Sequence, residues 1–506
     1  MDYQKLVILI SFVSASILIF ILRKLNQTQN STKLPPGPNP LPIIGNILEL
    51  GKNPHKTFTK LSKIYGPIMT IKLGNITTIV ISSPQLAKQL LQENSKFFSN
   101  RTIPHAVHAT QHYKFSVAWL PLSTPWTKLR KICATKVFSP KMLDSTKIIR
   151  EKKLQDLLDY VNEKSKKGEV FDIGKVVFTT VLNSISNTLF SKDLIHSTSD
   201  EKYDHQLFEN AIFGIMEEAG RPNVSDFFPI LRLLDPQRVL GKMTTHMKKL
   251  CDIFDEIIEE RICLRASKGD YEVYNNVLDS LLNNTGDISL ELTRDEMLHL
   301  FLDLFVAGID TTSTTIEWIM AELLRNPEIL RKVRKELCET IGKDETIEES
   351  HISKLPFLQA VVKESFRMHP PIPFLLPHKC DEIVDILGFN VPKNAQVLVN
   401  IWAMGRDPTI WDNPNMFMPE RFLECDINYK GNNFELLPFG AGKRICAGLP
   451  LAHRSVHLIV ASLLYNFEFN LADGLMPEHM NMEEHFGLTL KRVLPLRVQA
   501  TSINHD

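Results

Sequence analysis

The sequence predicts a mainly α chain with a minor β part. Three observations carry this. From about 126 to 370 the apolar spacing is mostly helical. Within that stretch, Thr293 to Arg325 reads as one long helix, opened by the capping-box pattern Thr293/Glu296 and closed at Asn326-Pro327. Strand-like alternation is confined to short stretches at 68–82, 383–402 and 484–497. The chain has 506 residues, 43% of them hydrophobic, so it can bury a large core. No linker divides residues 40–500, and no repeat or low-complexity tract is present.

Taken in order, Leu6 to Leu22 is apolar apart from three serines, and Arg23 and Lys24 follow at once. About 17 helical residues reach about 25 Å, enough for a thin bilayer such as that of the endoplasmic reticulum. Positive charge after the apolar run keeps the rest of the chain cytosolic, and argues against a cleaved signal peptide. Residues 1–24 are therefore expected to be a single-pass anchor. Residues 25–40, with Leu34-Pro-Pro-Gly-Pro38, form a stiff hinge. Ile68 to Ser82 folds back at Gly74-Asn75 as a hairpin. Ser83-Pro84 is an N-cap and first helical position. Residues 190–202 and 265–276 are polar and expected to be loops. Val224 to Leu234 is unusually apolar for a connection. It reads equally as a buried helix start or as a segment dipping into a membrane.

Lys plus Arg equals Asp plus Glu at 58 each, so global charge gives no argument for nucleic acid. The seven cysteines are odd in number and irregular in spacing, which is no secreted disulfide framework.

One cysteine carries chemistry. Phe439-Gly-Ala-Gly-Lys-Arg-Ile-Cys-Ala-Gly448 has the form Phe-x-x-Gly-x-Arg-x-Cys-x-Gly. No second cysteine or histidine lies at zinc spacing. A single thiolate with an open opposite face suits haem iron, and Arg444 can meet an anion. In the long helix, Ala307 and Gly308 share a face with Thr311 and give a flat ligand room to approach. Glu364 and Arg367 lie three apart on one helical face.

The Cys446 run resembles the haem-binding loop of the cytochromes P450, and the resemblance extends over nearly the whole chain. It implies a P450 fold with an N-terminal anchor, and residues 41–506 as the haem-thiolate domain. Cys446 is then the axial thiolate of haem b, with Phe439 beside it. Ala307-Gly-Ile-Asp-Thr-Thr312 becomes the opposite wall, with Asp310 and Thr311 as the acid–alcohol pair that manages protons. Trp126 and Arg130, in a Trp-x-x-x-Arg pattern, join Arg444 and His378 as partners of the haem propionates. Glu364 and Arg367 pair with Arg421 of Pro419-Glu-Arg-Phe422 in a structural triad. Ala447 stands where many plant members have proline. Phe115, Val117, Val306, Ala307, Phe374, Leu375, Phe486 and Leu488 occupy substrate-pocket positions, mostly apolar as a small lipophilic substrate requires. Lys128, Lys131, Lys136, Lys443 and Arg454 are candidates for docking an acidic reductase.

Stretches such as Leu302–Thr312, Phe434–Phe439 and Met482–Leu490 are most similar to the plant geraniol 8-hydroxylase-like group. The resemblance implies a monooxygenase of the endoplasmic reticulum, using O₂ and electrons from NADPH through NADPH–cytochrome P450 reductase. A terpenoid such as a monoterpenol is the expected substrate. A phenolic or diterpene substrate is the alternative within the group. A reductase-independent haem-thiolate isomerase or dehydratase stands further off, because Asp310 and Thr311 argue against it, and a haem-binding protein without activity likewise, because the anchor and the full catalytic set argue against that.

Overall fold

The long helical pattern folds as one element. In the computed structural model, which describes residues 33–195, 205–268, 276–283, 290–342 and 345–503, five helices frame the site. They are α1 (Thr124–Ile132), α2 (Ile173–Phe190), α3 (Arg294–Arg325), α4 (Pro356–Met368) and α5 (Leu449–Asn466). The apolar run Leu6–Leu22 lies outside the described residues. Among those residues no helix is long and apolar enough to cross a membrane.

Helix α3 has 32 residues, which at about 1.5 Å each span about 48 Å. Thr293 accepts from the Glu296 amide while the Glu296 carboxylate accepts from the Thr293 amide, so the capping box forms in full. Most of α3 is buried, and it packs between α2 and α5. Phe301 meets Phe190 of α2 edge to face at 4.9 Å, a favoured aromatic geometry.

The β part is small, as expected. One five-stranded sheet runs Ile68–Leu73, Ile76–Ile81, Gln396–Val399, His378–Lys379, Asn100–Arg101. Its first two strands are the hairpin around Gly74-Asn75, with Ile68 opposite Ile81 and Leu73 opposite Ile76. The last pairing sets Arg101 directly opposite His378. Ser83 caps the following helix through the Leu86 amide, with Pro84 next. Near the C-terminus a second hairpin pairs Glu484–Phe486 with Leu490–Arg492 and lies against α3.

One expectation needs correction. Residues 265–268 are not loop: the helix that starts at Val239 runs to Lys268, because Arg and Ala sustain a helix despite local polarity. Residues 269–275 and 196–204 lie outside the described part. Val224–Leu234 opens as the buried helix start that is one of its two readings: Val224–Phe227 is helical, with Phe227 buried and Phe228 half-buried against Gly74 and the Phe58 cluster. The exposed apolar residues are Ile230, Leu233 and Leu234, at 84%, 98% and 74% accessible.

Candidate active site

A cavity of about 310 Å³ opens between α3 and the Cys446 loop. Trp126, Arg130, Ala307, Gly308, Thr311, His378, Phe439, Arg444 and Cys446 all line it. The Cys446 amide donates to the Phe439 carbonyl at 2.9 Å, closing the loop. Gly442, at φ +67°, sits so close to the Leu91 carbonyl that a Cβ would fall 2.2 Å from its oxygen. Only glycine fits there. The thiol of Cys446 lies deep, and its accessible face opens into the cavity. Burial pushes it above the ordinary thiol value, while the Gly448 and Leu449 amides pull it back.

Three guanidiniums converge at one end of the cavity: Arg101, Arg130 and Arg444. Arg444 donates to the carbonyls of Ser99, Val117 and Leu120, and its guanidinium lies 4.6 Å from the Trp126 ring centre. Burial and then Arg130 lower Arg444 to about 10. Burial and then Arg444 lower Arg101 to about 9, and its buried Nε has no partner. Arg130 has no hydrogen-bond or ion-pair partner among the described residues. Mutually repelling cations around an apolar slot call for a dianion. The two propionates of haem supply one, and the single Cys446 thiolate in the same cavity completes the fit.

No motif in the sequence marks Arg101, and its contact with His378 gives that histidine a different role. His378 is buried, donates from Nδ1 to the Phe98 carbonyl at 2.6 Å, and meets Arg101 Nη1 through Nε2 at 3.0 Å. Burial, then Arg101, holds it well below the usual imidazole value. A neutral His378 with both nitrogens engaged positions Arg101 instead of facing an anion itself. Trp126 Nε1 is likewise engaged, donating to the Val117 carbonyl at 3.1 Å.

On the opposite wall, Ala307 is open to the cavity and Thr311 Oγ1 donates back to the Ala307 carbonyl at 2.6 Å. Gly308 also lines the cavity, yet its missing Cβ faces Ile185: a methyl there would sit 2.7 Å from Ile185 Cδ1. Its smallness therefore serves the α2–α3 contact. Asp310 does not line the cavity. Its fully buried carboxylate accepts from Thr489 Oγ1 at 2.6 Å and pairs with Lys491 Nζ at 2.6 Å, both on the C-terminal hairpin.

The pocket positions divide. Val117, Ala307 and Leu375 line the main cavity. Phe374, Leu375, Phe486 and Leu488 line a second chamber of about 170 Å³, which shares Ile372 and Leu375 with the first. Phe115 and Val306 line neither: Phe115 stacks on His299 at 5.1 Å, and Val306 is core. Away from the cavity, Glu364 holds Arg367 through two bonds of 2.7 Å and Arg421 at 3.2 Å. Of the basic residues, Lys128 is paired with Glu296, and Arg454 with Asp144 and Glu349.

The cytochrome P450 family model matches residues 35–496. The chain belongs to the cytochrome P450 family. It is 47% identical to cytochrome P450 76T24 of Catharanthus roseus, over 98% of this chain and 99% of that one. It is 46% identical to geraniol 8-hydroxylase of the same plant, over 99% and 100%. A zebra fish cytochrome P450 solved with abiraterone superposes with a TM-score of 0.72 at 27% identity, covering 90% of this chain and all of that one. The protein is thus a P450 monooxygenase carrying haem on a cysteine thiolate, and it acts on a small substrate with O₂ and a redox partner.

Proposed function

We propose that this P450 hydroxylates a small lipophilic terpenoid, a monoterpenol in the first instance. The apolar cavity beside Ala307 supports this most directly, and the 46% identity with a geraniol 8-hydroxylase points the same way. When bound, haem activates O₂ and inserts one oxygen atom into a C–H bond, the thiolate favouring O–O cleavage. The chain's part is to hold the propionates through Arg101, Arg130 and Arg444, exclude water with apolar walls, and place the substrate against Ala307. Matched panels of monoterpenols, diterpenes and phenolics test the substrate class. A monoterpenol is expected to shift the haem spin state and give hydroxylated product. A response to phenolics alone overturns the terpenoid reading in favour of its alternative.

Thr311 is assigned the proton relay, with Asp310 as the acid behind it. Thr311→Ala is expected to lower product formed per NADPH consumed by about tenfold or more, since general acid–base steps contribute about 10²–10⁴. Unchanged coupling removes the role. Electrons are assigned to NADPH–cytochrome P450 reductase, docking at a face that includes Lys136 and Lys443. Residues 1–24 are assigned as a single-pass anchor in the endoplasmic reticulum membrane, the catalytic part being cytosolic. Ile230, Leu233 and Leu234 form an apolar edge suited to the same membrane.

A further inference from the structure

One hairpin touches both the second chamber and the buried acid. Phe486, at the end of its first strand, and Leu488, in its turn, line the chamber. Thr489 and Lys491, which follow directly, reach Asp310. Thr489 Oγ1 donates to Asp310 Oδ2 at 2.6 Å. Lys491 Nζ stands 2.6 Å from Oδ1 but off the line of a hydrogen bond, so charge alone holds that oxygen. One oxygen is fixed; the other keeps a lone pair open for a proton. The Asp310 side chain is 0% accessible and that of Lys491 is 23% accessible, so the pair joins the buried acid to the surface.

The amine is also covered from the other side. Nζ lies 3.3 Å from the ring centre of Phe213, on the helix His205–Gly220. A cation over an aromatic face is attracted by the ring's quadrupole. The same helix meets the hairpin again at its turn. The Leu488 amide donates to the Met216 carbonyl at 3.2 Å, and a Cβ on Gly220 would fall 1.9 Å from the Leu488 nitrogen. Ala219 and Gly220 line the second chamber opposite no other helix end in this contact. Helix and hairpin therefore border the chamber together and hold Lys491 between them. Packing alone does not call for a lysine there. An apolar side chain of like size fills such a gap without desolvating an ammonium, and buried pairs often gain nothing over it. What the charge adds is control of a carboxylate.

We propose that Lys491 is the positioning residue that links substrate fit to proton delivery. This rests on the relay reading of Asp310 and Thr311 and deepens it. A substrate seated against Phe486 and Leu488 sets the hairpin, and three residues of chain carry that setting to Lys491 and Asp310. Oδ1 takes a proton from water at the exposed side of Lys491. It gives that proton to Thr311 Oγ1 as the threonine's own proton moves into the cavity, and the carboxylate is regenerated.

The test uses the full-length, haem-loaded protein with its reductase, and geraniol or whichever panel compound is turned over. Lys491→Met is expected to lower product formed per NADPH consumed by about fivefold, part of the about 10²–10⁴ that a proton-transfer group contributes in full. It should also raise the solvent deuterium isotope effect on turnover, while the midpoint of the substrate-binding spectrum holds. Lys491→Arg keeps the charge and should recover most of the coupling. Lys491→Met combined with Asp310→Asn should be no worse than Asp310→Asn alone, because Lys491 acts only through that acid. Unchanged coupling in Lys491→Met, equal loss in Lys491→Arg, an unmoved isotope effect, or additive losses in the double variant overturns the proposal. If Lys491→Met does not fold, Lys491→Gln decides: it keeps a donor without the charge, so coupling should fall, and unchanged coupling counts against Lys491. Asp310→Asn that couples like the wild type removes the relay reading itself. Asp310→Asn that uncouples while Lys491→Met does not removes only the part given to Lys491, so the two fail separately.

Discussion

Replacing Cys446 by serine is expected to abolish the red-shifted carbon-monoxide band of the reduced protein and reduce monooxygenase activity to background. The substitution changes one atom in a site that tolerates it sterically. The Cys446 amide keeps its bond to Phe439, and Gly448 already leaves room beside Sγ, which a Cβ there would approach only to 3.8 Å. The fold should therefore survive, and thermal melting checks that it does. What is lost is the soft, electron-rich ligand that sets the iron's reactivity. Serine oxygen is hard and poorly donating. Haem should still be drawn by Arg101, Arg130 and Arg444, so partial haem retention with an altered spectrum is the expected pattern. Persistence of the thiolate band in Cys446→Ser would remove Cys446 as ligand.

The sequence was most legible where one short segment contains both partners of an interaction. Ser83 with Leu86, Thr293 with Glu296 and Glu364 with Arg367 all lie within one helical turn. Their chemistry is written in the spacing. Arg101 is not legible in the sequence because its partner His378 is 277 residues away, and only the sheet register opposes them. The motif marks Asp310 as the acid of an acid–alcohol pair, yet does not say where its carboxylate points. That is set by Thr489 and Lys491, which hold the carboxylate from about 180 residues later. Phe115 looked like a pocket residue, but His299 offers its ring a stacking partner outside the cavity. Apolar identity alone could not separate the two chambers, since Leu375 lines both.

Glu364→Gln is expected to be among the most destabilising substitutions away from the cavity. Glu364 and Arg367 are 0% and 1% accessible, and α4 presents them to the stretch that leads toward the cysteine loop. The carboxylate accepts from Arg367 Nε and Nη2, from Arg421 Nε at 3.2 Å and from the Met418 amide at 2.7 Å. Arg367 in turn donates to the carbonyls of Gly405, Pro414 at 2.7 Å and Met416 at 3.1 Å. Gly405 comes so close that a Cβ would lie 2.2 Å from the Arg367 carbonyl oxygen, so this backbone cannot simply move aside. Glutamine keeps the shape but leaves two guanidiniums without a counter-charge. Breaking a buried pair in this way costs about 3–5 kcal/mol. That is a large share of a total stability of about 5–15 kcal/mol. Exposure decides the magnitude, and the Arg331–Glu328 pair provides the control. It has the same three-residue spacing on a helix but is 69% and 77% accessible, so Glu328→Gln should leave the denaturant midpoint essentially unchanged. Denaturant midpoints of the two variants, measured with haem content, separate the cases. Because the triad ties α4 to residues 405–421, haem should be lost from Glu364→Gln at lower denaturant than from the wild type. Equal midpoints for the two variants would mean that the triad is not what holds this segment in place.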